Sequence, residues 1–101
     1  MGKLKTDVIQ KVYFCQSEVA NLLDVNAGML RSWKKYFFPK LPKGKNRFTR
    51  IIPLDYVGKF KALYLLILKE RYTLPGADKR LKSMNKEELD MYINKFDNMK
   101  K

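Results

Sequence analysis

Along the chain, apolar positions first fall into helical register just after a short β-prone run, Val12, Tyr13 and Phe14. Val19, Ala20, Leu22 and Leu23 recur at the spacing of one helix face, which predicts a two-turn helix over Gln16–Leu23. Cys15 stands at its cap position with Glu18 three residues on, the arrangement of a capping box. Asp24 and Val25 then make a tight connection to Asn26, a strong N-cap for a second helix from Ala27 to Tyr36 or Phe37. Leu30, Trp33 and Phe37 share one face of that helix, and Arg31, Ser32, Lys34 and Lys35 are read as its open, cationic face.

The helical pattern breaks from Phe38 to Pro53, where Pro39, Pro42, Gly44 and Pro53 exclude a continuous helix. Phe48, Thr49, Ile51 and Ile52 are β-prone and predict a small hairpin turning at Lys43-Gly44-Lys45-Asn46. A long helix with Pro53 in its first turn should run to about Arg71, packing through Val57, Phe60, Leu63, Tyr64, Ile67 and Leu68. Thr73 can cap a further short helix with Pro75 in its first turn and Ala77 and Leu81 facing inward. Leu89, Tyr92, Ile93 and Phe96 then mark a final amphipathic helix, begun by a cap at Ser83 or Asn85. The fold class expected is mainly α: a winged helix-turn-helix with a small β-hairpin wing and a short C-terminal helix. It is organised as a loose arm over 1–11, a domain over 12–82 and a terminal helix over 83–101.

Charge sharpens this picture because it is local. Between Asp24 and Asp55 lie eight Lys or Arg residues and no acid, so that window holds eight of the twelve units of net positive charge. A cationic surface confined to one part of a small domain attracts polyanions, since each neutralised phosphate releases a condensed counterion. The bland alternative is a solvated basic face that serves solubility.

Other chemistry is sparse. The chain has no His and one Cys, so His-based acid–base pairs, nucleophile triads and zinc spacing are missing, and no enzyme, metal or cofactor is expected. Glu87, Glu88 and Asp90 fall at a helix start, where acids favour the macrodipole. A single Cys15 forms no internal disulfide, and no segment has the apolar length of a signal peptide or membrane span. The expectation is a protein of the cytoplasm, associated with the nucleoid and with no membrane partner.

Residue identity adds a resemblance. Tyr13-Phe14-Cys15-Gln16-Ser17-Glu18-Val19-Ala20, then Leu22-Leu23-Asp24-Val25-Asn26 and Met29-Leu30-Arg31-Ser32-Trp33, resemble the opening of the MerR family of bacterial transcriptional regulators. Lys69-Glu70-Arg71-Tyr72-Thr73-Leu74-Pro75-Gly76-Ala77 looks like the segment joining the last two helices of that family's DNA-binding domain. The likeness spans residues 12 to 82. It implies that the helix from Ala27 enters the major groove, that Arg31 lies at the DNA interface, and that a wing from Lys43 to Arg50 grips the backbone.

The expected DNA-binding residues are therefore Ala27, Gly28, Arg31, Ser32, Lys34, Lys35, Lys43, Lys45, Arg47 and Arg50, with base contacts from the start of the helix. Trp33 lies on the packed stripe and is read as core, stacking on a base being its alternative use. Two features depart from the family pattern: Lys34 stands where Glu is frequent, and either Arg47 or Arg50 can be the wing arginine. Leu89, Tyr92, Ile93 and Phe96 can serve a homodimer or fold back onto the domain. Duplex DNA is the partner expected, with RNA polymerase at a promoter as a further candidate. An excisionase-like or architectural DNA-binding protein of a mobile element, or a protein-interaction module using the last helix, are the competing functions.

Overall fold

Cys15 ends one short strand and begins the first helix, so a single residue sets the entry to the fold. The computed structural model describes residues 12–46 and 48–99; the expected arm over 1–11, and Arg47, lie outside the described residues. Strand β1 (Tyr13–Cys15) leads into α1 (Gln16–Leu23). The Glu18 backbone N–H donates to Cys15 Sγ at 3.4 Å and the Cys15 N–H donates to Glu18 Oε1 at 2.9 Å, completing the capping box. Helix α2 (Ala27–Phe37) follows, its Met29 N–H bonded to Asn26 Oδ1 at 2.7 Å.

The turn between the two helices is a Schellman closure. Asp24 takes the left-handed conformation (φ 61°), its N–H bonds the Asn21 carbonyl, and the Val25 N–H reaches back to Ala20 at 3.0 Å. α1 and α2 pack on each other, and the buried apolar residues of this part are Cys15, Val19, Ala20, Leu23, Leu30, Trp33, Phe37, Phe38 and Ile52. Trp33 is 4 % exposed, as its place on the stripe requires.

The expected hairpin is not formed. Strand β2 (Arg50–Pro53) pairs antiparallel with β1, Tyr13 opposite Pro53 and Phe14 opposite Ile52, with an irregularity between Phe14 and Cys15. The physical reason is donor supply: Pro39 and Pro42 remove N–H groups from the segment that would form the other arm, whereas β1 contains no proline. Between α2 and β2 the chain instead runs as a loop with local closures. Leu41 N–H bonds the Phe38 carbonyl at 3.0 Å across Pro39, and Asn46 Oδ1 accepts the Phe48 N–H at 2.8 Å. Pro53 closes the strand and does not enter the next helix.

By its internal contacts the chain divides into two compact units, one ending at Leu54 and the other beginning at Asp55, a boundary inside the stretch 12–82. The second unit contains nearly all of α3 (Leu54–Tyr64), a π-helical turn over Leu65–Lys69, α4 (Leu74–Ser83) and α5 (Lys86–Met99). The π turn alters the expected stripe. Leu65 and Leu66 are buried while Ile67 and Leu68 are half-buried, because a wider turn advances each side chain through a smaller angle than the α-helical period assumes. The helix stops at Lys69, two residues before the expected end, and Arg71 takes a left-handed φ of 65°.

Thr73 caps α4 through the Gly76 N–H, and Asn85 exchanges hydrogen bonds with Glu88 at the start of α5. α5 lies on the second unit's own surface. Phe96 is 1 % exposed and meets the Tyr64 ring edge-on at 5.2 Å, Lys61 bonds Asp97 at 2.8 Å, and the Tyr92 hydroxyl donates to Glu70 at 3.1 Å. Gly58 makes this approach close, since a Cβ there would sit 2.7 Å from Ile93 Cδ1. Of the two uses left open by the sequence, folding back is the one observed for this stripe, with Phe96 enclosed and Leu89, Tyr92 and Ile93 half-buried. The described residues thus form a mainly helical protein with one two-stranded antiparallel sheet, and no helix among them is long and apolar enough to cross a membrane.

Candidate nucleic-acid interface

The last turns of α2 and the loop that follows enclose a groove of about 670 Å³. From the helix come Arg31, Ser32, Lys34 and Lys35; from the loop come Phe38, Pro39, Leu41, Lys43, Gly44, Lys45 and Asn46; Gln16, the first residue of α1, completes the lining. Five of these side chains are cations and none is a carboxylate. Arg31, Ser32, Lys35, Lys43 and Lys45 are exposed, so their charges and hydroxyl are presented to solvent on one shared surface.

The loop is held in shape by Gly44. A Cβ at that position would lie 2.6 Å from Thr49 Cβ, so the backbone passes against Thr49 at a distance only glycine permits. Thr49 is itself fixed, its N–H bonded to the Asn46 carbonyl at 3.2 Å and its Oγ1 accepting the Asn46 N–H at 3.3 Å. Lys43 and Lys45 flank this contact, so their backbones are anchored while their long side chains remain in water.

Lys34 departs from the reading of an open cationic face. It is 7 % exposed, and the reason is spacing: with Leu30, Trp33 and Phe37 it completes an i, i+3, i+4, i+7 set, which places it inside the buried stripe. Burial, and secondarily the charge of Lys43, push its pKa below the usual lysine value. The residue is covered with the core stripe and also lines the groove, as a lysine does when its aliphatic stem is packed and its charged end faces water.

The remaining expected contacts are distributed differently. Ala27 is half-buried and Gly28 exposed at the first turn of α2, and neither lines the groove. Gly28 has open space toward solvent, its nearest neighbour for an added Cβ being the capping Asn26 Oδ1 at 3.4 Å. Arg50 also lies off the groove lining; it begins β2 and its guanidinium sits 3.7 Å from Glu18. The Glu18 carboxyl is held below the ordinary range, chiefly by the Cys15 N–H, with smaller contributions from the Cys15 thiol and Arg50. Arg47, the other wing candidate, lies outside the described residues.

Gln16 is the residue that sequence reasoning passed over. It is 8 % exposed, and neither its amide nor the Lys34 ammonium has a hydrogen-bond partner among the described residues, yet no buried side-chain nitrogen or oxygen is left unpaired. Both polar ends therefore open onto the groove they line. The available signal was positional: the first residue of a helix that starts at a buried cap points beside the cap, whatever its hydropathy. Comparison of the chain with protein families, with curated proteins and with solved structures returns no match.

Proposed function

We propose that this chain binds double-stranded DNA in a sequence-dependent way and acts in the regulation of transcription, α2 reading the major groove and the 38–49 loop gripping the phosphate backbone. The observation that carries this reading is the groove with five cations and no carboxylate, built from one helix and its adjoining loop. A polyanion is the ligand such a surface favours, and release of condensed counterions makes duplex DNA the strongest of the common ones. The α1–turn–α2 arrangement has the short connection of a helix-turn-helix, and Arg31 has the fork that reads guanine edges. The resemblance of residues 12 to 82 to MerR regulators supports the same role. The loop replaces the hairpin wing of that pattern and supplies Lys43 and Lys45 as phosphate contacts.

The test is selection of bound sequences from random duplexes, followed by salt titration on the selected and a scrambled duplex. Arg31→Ala should lose about 1–3 kcal/mol of discrimination between them. Lys45→Ala should weaken both alike and lower the salt slope by about one. If neither substitution changes affinity for the selected duplex, the reading fails.

A further inference from the structure

We infer that the floor of the groove is a phosphate subsite, formed by Lys34 and Gln16 with Lys43 beside them, that holds one phosphate group more tightly than the exposed lysines around it do. This deepens the DNA reading and rests on it for the identity of the polymer, but not for the recognition of phosphate itself.

Two mostly covered polar side chains with no hydrogen-bond partner among the described residues line the same groove. Lys34 is 7 % exposed and Gln16 is 8 % exposed, and neither has a hydrogen-bond partner among the described residues. A donor whose stem is covered and whose polar end opens onto the groove is already held in place for a ligand, and it acts in a dielectric lower than that of bulk water. Lys34 brings a compact charge with three donors, and Gln16 brings a neutral N–H₂ beside it.

The charge of the partner follows from the lining. Lys43 is near enough to Lys34 to depress its pKa, no carboxylate among the described residues lines the groove, and three further cations line it with the pair. A group with several anionic oxygens satisfies two ammonium groups and an amide together. A carboxylate holds its two oxygens in one plane, whereas the oxygens of a phosphate are disposed tetrahedrally and can meet donors from different directions, and a neutral base edge leaves the charges uncompensated. A phosphate group matches, either as a diester link of nucleic acid or as a free anion. The chain segment carrying Lys43 is positioned by the Gly44–Thr49 contact, so the three groups need no large rearrangement to meet a ligand.

The experiment follows the backbone amides of the full chain by NMR during titration with inorganic phosphate at fixed ionic strength, chloride making up the balance. Fluorescence anisotropy with the selected duplex runs in parallel for the wild type and for Lys34→Met, Lys34→Arg, Lys35→Met and Lys45→Ala. Expected are saturable shifts at Gln16, Ser32 to Lys35 and Lys43 to Asn46, abolished in Lys34→Met and kept in Lys34→Arg. Duplex affinity should fall about tenfold in Lys34→Met, the loss of one charge-assisted hydrogen bond, and distinctly less in Lys35→Met. Far-ultraviolet dichroism checks each fold; should Lys34→Met not fold, Lys34→Gln takes its place.

Shifts that rise without saturation, or equal losses for Lys34→Met and Lys35→Met, overturn the subsite. If phosphate saturates at these amides while duplex binding ignores Lys34 and Lys45, the subsite stands as a pocket for free phosphate and the DNA reading falls. If duplex binding depends on Arg31 and Lys45 but Lys34→Met behaves as Lys35→Met, the DNA reading stands and the subsite falls.

Discussion

Replacing Lys34 by methionine should make the protein more stable while making it a poorer binder. The side chain occupies the i+4 position of a stripe whose other members, Leu30, Trp33 and Phe37, are 0 %, 4 % and 7 % exposed. Methionine has a similar length, is a good helix former and adapts to irregular packing, so the swap fits the space without a cavity. The lysine methylenes are already covered, and the gain comes from the tip: about 0.8 kcal/mol for one further apolar group, plus relief of the charge's partial desolvation beside Lys43. Against this stands the loss of a cation in the last turn of α2, about 0.3–1 kcal/mol. The two quantified contributions nearly cancel, so relief of desolvation sets the sign, and the stabilisation should be at most about 1 kcal/mol, a rise in Tm of at most about 4–8 °C for a domain of this size.

The pH dependence gives an independent check on sign. Because the folded-state pKa of Lys34 lies below its unfolded value, the unfolded chain holds more protons in the window between the two. Wild-type stability attributable to this residue is therefore lowest below that window and rises as pH climbs through it toward the usual lysine range. The advantage of Lys34→Met should be largest near neutrality and should shrink in alkaline buffer, measured as the Tm difference between variant and wild type at each pH. A lower Tm for the variant, or an advantage that grows with pH, would show that the charge suffers no net desolvation at this position and that the stripe argument is wrong.

Other consequences can be measured alongside. Gly58→Ala gains about 1 kcal/mol of helix propensity but places a methyl 2.7 Å from Ile93 Cδ1, so the net change by denaturant unfolding should be close to zero. The same substitution in an Ile93→Val background, which lacks that methyl, should recover most of the 1 kcal/mol; an additive cycle refutes the contact. Asn26→Ala should cost about 1 kcal/mol, because the 2.7 Å bond to the Met29 N–H is lost at the start of α2. Its affinity for duplex should change little under conditions where the variant remains fully folded.

What could be read in advance was what depends on near neighbours. The caps at Cys15, Asn26 and Thr73 each lie three residues before the N–H they bond, and the bounds of α1 follow from them. Pairing between β1 and β2 joins segments far apart in sequence, and neither carries a register signal that excludes a local hairpin. At Lys34 residue type and spacing disagree: a lysine points to solvent, its spacing points to the stripe, and the structure follows the spacing. Gln16 was hidden for the opposite reason, a polar residue at a helix start being unremarkable until its surroundings are known. The lodging of α5 against α3 depended on the dent at Gly58, which a sequence reports only as a poor helix former.

The rungs between β1 and β2 close the backbone into a circuit, with the Leu54 N–H bonded to the Val12 carbonyl at its neck. Everything that lines the groove hangs inside that circuit, and both leads emerge at the same end of an antiparallel clasp. A tug on the leads therefore opens the rungs one after another, like a zipper, beginning at Val12 and Leu54, before any force reaches Arg31 or Lys45. The clasp acts as a mechanical fuse: it yields at low force, and while it holds, whatever pulls from either side leaves the cationic groove undeformed.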